Sequence, residues 1–246
     1  NWAVISDRRG VMYFANTGGV LEFDSESWRL IELPGKRGAY SLAKGPDGRI
    51  YVGGQGDMGY LEANDKGQMK YKSLQDKLPK KYRGGKDRAI QTAVTPLGVI
   101  FLFERMMVIL KDDNVKVISA KKHFYCFLYY RDVLYVIDDA RGFLRYSDGR
   151  LVRVRGGRWL QGHVLLPFKD NKLLIITSQR GPVIYDPNGK SDAYSPFTTY
   201  SSEYFAQNLI SCGLLLNGRP NHYRLVLGSI EKGIAVFDRR GREIEY

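Results

Sequence analysis

The chain is poor in the residues that mark out most chemistry. It has two cysteines and three histidines in 246 residues. Two cysteines exclude a disulfide-stapled scaffold, and a chain of this length buries enough surface to need no staples. The histidines, His123, His163 and His222, fall in three different segments without metal-ligand spacing, so each is read as a solvated or packed side chain. G-x-S-x-G, H-E-x-x-H and the phosphate loop are absent, and Gly53-Gly54-Gln55-Gly56 opens no helix and so lacks the amides of a phosphate site. No cofactor is expected. No apolar run approaches the 18 residues of a membrane span; Phe124–Tyr130 is about the longest. The N-terminus shows no export signal, which a processed chain would in any case have lost. Negative charge is also scarce: 38 Lys and Arg against 26 Asp and Glu leave +12. That excess favours acidic partners, and equally serves solubility.

What is present is a repeat. The phrase GRIYVGGQGDMGYL at Gly48–Leu61 joins a tight turn, a short β-run, a glycine-rich connection and a second β-run. It recurs at 10–24, 98–111, 132–147, 171–186 and 223–238. The second run opens at Gly19, Gly59, Met106, Gly142, Gly181 and Gly233, between 36 and 52 residues apart. A period of about 40–50 residues built of short strands predicts an all-β fold, a β-propeller with one four-stranded blade per repeat. Period-2 alternation divides the chain into six repeats, at about 1–36, 37–78, 88–119, 122–156, 161–195 and 207–246, forming one sensor-like domain over 1–246 and part of a larger propeller region. Each repeat has strands a to d. Met106 replaces glycine in the third repeat, so its turn must differ. Cys126 and Cys212 fall on strand a of non-adjacent blades, which predicts two reduced, buried thiols. The segment 201–207 is expected to form a single helical turn.

The phrases FANTGGVLEFDSESWRLIELP, GRIYVGGQGDMGYLEANDKG and EKGIAVFD resemble the regulatory-propeller repeats of bacterial transmembrane sensors. These are hybrid histidine kinases and LuxR-type regulators with a triple-tyrosine domain. The resemblance covers essentially the whole chain and is one of scaffold, not of a catalytic motif. It implies a ligand-sensing role in the periplasmic or extracellular part of an inner-membrane protein. It also implies oligosaccharide as ligand, a membrane helix and output domain outside this chain, and room for a homodimer in the full-length receptor. No nucleic-acid partner is implied. A propeller enzyme of lyase type and a protein-interaction scaffold remain as alternatives.

Candidate binding residues follow from the blade frame. The residue before the strand-c position is Arg105, Arg141, Arg180 and Lys232 in four consecutive repeats. It lies on the side of the b–c and d–a connections, where the long loops are, and long loops on a rigid scaffold carry binding. Tyr82 and Arg83 join from one d–a loop, Trp159 from a second, and Tyr204 from a third. Lys80, Lys81, Lys121, Lys122, Arg155 and Arg158 add charge. The pattern reads either as a solvated polar rim or as an anion-attracting mouth for an acidic oligosaccharide or other acidic small ligand. Asp138, Asp139 and Glu104 are loop carboxylates able to hold a cation, and are more commonly unliganded.

Overall fold

The computed structural model of the chain describes residues 1–177, 181–189, 193–197, 208–217, 223–238 and 243–245. Among them are 24 strands in six four-stranded antiparallel sheets, each a simple meander. This is the β-propeller fold that the repeat predicts. The sheets divide between two compact units, 1–124 and 125–246.

In the first unit, blade 1 is β1 (Ala3–Ser6), β2 (Met12–Asn16), β3 (Gly19–Phe23) and β4 (Trp28–Ile31). Blade 2 is β5 (Ala39–Lys44), β6 (Ile50–Gly54), β7 (Met58–Ala63) and β8 (Met69–Ser73). Blade 3 is β9 (Ala89–Thr95), β10 (Gly98–Phe103), β11 (Met106–Lys111) and β12 (Asn114–Ser119). In the second unit, blade 4 is β13 (Phe124–Tyr130), β14 (Val133–Asp138), β15 (Gly142–Ser147) and β16 (Arg150–Arg153). Blade 5 is β17 (Gly162–Pro167), β18 (Leu173–Thr177), β19 (Gly181–Tyr185) and β20 (Tyr194–Pro196). Blade 6 is β21 (Ile210–Asn217), β22 (Tyr223–Ser229), β23 (Gly233–Phe237) and β24 (Glu243–Glu245). The expected helical turn at 201–207 lies outside the described residues.

Each sheet is too thin to bury its apolar residues alone, so neighbouring sheets stack face to face. Ile31, Val20, Tyr13 and Ala15 of blade 1 meet Ile50, Val52 and Leu61 of blade 2. Met58 of blade 2 meets Val99, Phe101 and Val108 of blade 3. In the second unit, Tyr135, Ile137 and Phe143 pack on Ile175, Val183 and Tyr185, and Leu174 and Ile176 pack on Leu225, Leu227 and Phe237. The blade 2–blade 3 seam also holds a polar contact. The buried Ser41 hydroxyl lies 2.6 Å from the Ala89 carbonyl oxygen and 2.7 Å from the Thr92 hydroxyl.

The hairpin glycines divide into two groups. Asp138 pairs with Gly142, Thr177 with Gly181, and Ser229 with Gly233, each across a three-residue loop. These glycines have φ of +77°, +68° and +75°, the left-handed region such hairpins require. Gly59 does not belong with them. Met58 takes the turn position by pairing with Gly53, and Gly59 sits one residue inside the strand opposite Val52. The repeat-equivalence of Gly59 expected from the sequence is therefore corrected. Met106 follows a two-residue loop, Glu104-Arg105, the different turn its side chain implies.

Cys126 and Cys212 are both free, as expected, and Cys126 is buried. Cys212 is exposed, which corrects the expectation that both are enclosed. It belongs to an outward face of blade 6 with Leu214 and Ile234, 55% and 63% exposed. Blade 1 carries a similar open face, where Val4, Phe14, Leu21 and Leu30 are cross-strand neighbours and Val4 is 56% exposed. Burial pushes the Cys126 thiol up to about 12. A thiol reagent is thus expected to modify one group in the native protein and the second only after denaturation. Two native-state reactions, or none, would contradict this placement.

Candidate functional site

Strand a opens irregularly in blades 2, 3, 5 and 6. The register of β5 slips between Ala39 and Ser41, and that of β9 between Ala89 and Gln91. The same slip occurs in β17 between Gly162 and Val164, and in β21 between Ile210 and Cys212. The extra residue is Tyr40, Ile90, His163 and Ser211. A bulge leaves one residue outside the ladder and re-aims its side chain. The same backbone device therefore presents four different chemistries at one repeat position. It lies beside the b–c and d–a connections.

In the second unit this position carries a polar cluster. The His163 ring lies 4.5 Å from the Tyr125 ring. Tyr125 donates its hydroxyl hydrogen to Asp139 Oδ1 at 2.9 Å, and Gln161 Nε2 donates to the Asp139 carbonyl oxygen at 2.8 Å. Burial, with the Asp139 bond adding to it, pushes the Tyr125 hydroxyl up to about 12. Burial lowers the pKa of His163, which favours its neutral imidazole. Two rings, an amide and a carboxylate thus stand within one pair of blade ends. Polar groups beside aromatic faces suit a polyhydroxylated ligand. Sequence reading takes His163 only as a solvated or packed side chain and passes over Tyr125 and Gln161, because a bulge leaves no mark in an alternating pattern.

The residues singled out by sequence have varied surroundings. Arg141 and Lys232 occupy equivalent hairpin positions: their amides donate to Asp138 Oδ1 at 2.8 Å and to Ser229 Oγ at 2.7 Å. Their cations differ. Arg141 donates Nε and Nη2 to Asp138 Oδ2 at 3.0 and 2.8 Å, and Asp138 is fully buried. The Lys232 side chain is exposed. Arg105, in its shorter loop, is 70% exposed and lies 3.7 Å from Asp87. Arg83 donates Nε to the Leu78 carbonyl oxygen at 2.7 Å and Nη2 to that of Asp76, and so ties its own connection together. Tyr82 meets the Ser119 hydroxyl at 3.3 Å and carries the Lys81 ammonium 4.7 Å from its ring. Trp159 stands edge-on to Tyr194, with centroids 6.0 Å apart. Arg180 and Tyr204 lie outside the described residues. Of the loop carboxylates, Glu104 pairs with Arg88. Among the described residues no three of His, Cys, Asp and Glu gather to hold a metal ion.

Described residues line two clefts between neighbouring blades. One, about 780 Å³, lies between blades 2 and 3 and includes Arg49, Tyr51, Tyr60, Lys72, Lys77 and Asp113. Arg49 covers the Tyr60 ring at 4.5 Å, and Lys77 pairs with Asp113 at 2.7 Å, so charge here is locally balanced. The other, about 470 Å³, lies between blades 4 and 5.

No protein-family model matches the sequence, and no curated protein matches it. Solved structures do match in fold. The extracellular domain of a B. thetaiotaomicron protein described as a one-component system aligns with a TM-score of 0.66 at 16% identity. The match takes in 96% of this chain and 31% of that one, so the chain spans under a third of that structure's length. Virginiamycin B lyase from Staphylococcus aureus aligns at 0.68 with 11% identity, over 100% of this chain and 83% of the lyase. YCF48 bound to D1 peptide aligns at 0.62 with 15% identity, over 98% and 79%. At these identities the likeness is one of fold, and the three differ in what they do. No helix among the described residues is long and apolar enough to cross a membrane.

Proposed function

We propose that the chain is a ligand-sensing propeller from the extracytoplasmic part of a signalling protein, and that its ligand is an oligosaccharide. The bulged strand-a position carries the reading. One rigid device holds Tyr40, Ile90, His163 and Ser211 at equivalent points, and diversified side chains on a constant frame suit recognition. In the second unit the position adds the Tyr125–Asp139–Gln161 network, whose groups match sugar hydroxyls and ring faces. The fold likeness to an extracellular domain and the regulatory-propeller resemblance of the repeats support the same reading. The lyase reading draws support from the second neighbour, and the interaction-scaffold reading from the open apolar faces of blades 1 and 6.

Calorimetry against a panel of neutral and acidic oligosaccharides, with chromatography of each ligand afterwards, separates the three. Sensing predicts saturable binding of at least one glycan, recovery of that glycan intact, and at least tenfold weaker binding by His163→Ala. Degradation of the glycan would favour the lyase. Failure of every glycan to bind would overturn the oligosaccharide reading and favour the scaffold.

A further inference from the structure

The cleft between blades 4 and 5 differs from the larger one in its charge. Its lining includes Arg145, Arg153 and Arg155 together with Tyr185 and Tyr194, and no carboxylate among the described residues. The blade frame explains the convergence. Arg145 faces outward from β15, opposite Val152 of β16, and Arg153 ends β16. Arg155 follows in the turn, where it is exposed. Tyr185 and Tyr194 are cross-strand partners of β19 and β20, with ring centroids 5.1 Å apart. The nearby Asp186 is engaged by Lys172 at 3.4 Å.

The Tyr194 ring packs on the Gly156–Gly157 turn with its hydroxyl toward Gly157. That hydroxyl is buried and has no hydrogen-bond partner among the described residues, so it is the ring that borders the cleft. Arg153 lines the cleft and is held at its Nε by the Arg141 carbonyl oxygen at 3.0 Å. Burial raises the Tyr185 hydroxyl above its usual value, and the neighbouring Arg145 charge acts against that rise.

From this arrangement we infer that the blade 4–blade 5 cleft binds the anionic group of a carbohydrate, a uronate carboxylate or a sulfate ester, between its arginines and beside the tyrosine rings. Guanidinium forks pair with such groups through two parallel hydrogen bonds, and the tyrosine rings offer a face to the sugar. The site is separate from the His163 cluster and needs no signalling role.

The test uses monosaccharides, so that one anionic group is read at a time. Glucuronate, glucose 6-sulfate and glucose are titrated into the whole chain by calorimetry at low salt. Either anionic sugar is expected to bind at least tenfold more tightly than glucose, and the stronger of the two identifies the group. The double variant Arg145→Gln/Arg153→Gln should reduce that affinity at least tenfold. Equal affinity for glucose and the anionic sugars, or anion binding that survives the double variant, would overturn the proposal. Loss of glycan binding in His163→Ala with retained glucuronate binding would separate it from the sensing site.

Discussion

Replacing Arg141 with methionine is expected to lower the unfolding free energy by about 2–4 kcal/mol, the cost of stranding a buried charge. The Asp138 carboxylate is fully buried at the end of β14. One oxygen takes the amides of Ala140 and Arg141 at 3.0 and 2.8 Å, and the other takes only the guanidinium fork. Methionine keeps most of the aliphatic volume and removes every donor to that second oxygen. The two amide bonds survive, which places the effect below the largest losses seen for broken buried pairs. Arg141→Lys keeps the charge but loses the fork, and should fall between. Asp138→Asn combined with Arg141→Met should recover part of the loss, because an amide has no charge to strand. Denaturant unfolding with an unchanged m-value is the measurement. A loss under about 0.5 kcal/mol for Arg141→Met, the range of ordinary surface changes, would show that the pair is not the anchor of this hairpin.

Gly56→Ala is the second change with a large expected effect. Gly56 has φ of +61°, and a Cβ there would stand 1.8 Å from the Gly85 carbonyl oxygen. The contact is with backbone, so no rotamer relieves it. The neighbouring chain cannot easily retreat, since the Gly56 amide donates to the Asp87 carbonyl oxygen at 2.7 Å and Gln55 bridges to Arg88. A left-handed L-residue costs about 1–2 kcal/mol, and forced displacement of packed structure adds about 1–3, giving about 2–5 kcal/mol. Gly67→Ala is the internal control. Gly67 has φ of +75°, and a methyl group there would find nothing within 4 Å, so only the conformational cost of about 1–2 kcal/mol applies. If the two variants unfold at the same denaturant concentration, the collision at Gly85 carries no weight.

These two positions also show what the sequence reveals and where it stops. The strands are legible because half-buried sheets must alternate, and the hairpin glycines of blades 4 to 6 because three-residue loops need a left-handed residue. The cluster Gly53-Gly54-Gln55-Gly56 is visible in the sequence but its reason is not. A Cβ on Gly53 would meet Ser41 Oγ at 2.3 Å and Ala89 Cβ at 2.7 Å, atoms far away in the chain. The pairing of Asp138 with Arg141 is within reach, since a three-residue spacing across a hairpin loop brings an acid and a base together. Seen only as one of a periodic row of cations, Arg141 looks available for ligand. The exposure of Cys212 depends on which face of its sheet is covered, and a strand's own alternation does not say which. The arginine cleft joins side chains of two blades with no shared spacing, and only the stacked sheets bring them together.

The hydroxyl pair at Ser41 and Thr92 has a consequence for how two sheets stay aligned. Apolar contact is almost indifferent to small slides, because it rewards area and not direction. Tyr51 and Phe101 would bury nearly as well after one sheet crept along the other. The seam hydroxyls would not. Ser41 reaches both the Ala89 carbonyl oxygen and the Thr92 hydroxyl only at one offset, and Gly53 opens the gap in which they meet. A slip would strand buried donors and acceptors at about 1–3 kcal/mol each. The pair works as a keyway, turning a greasy contact into a fit with a single setting.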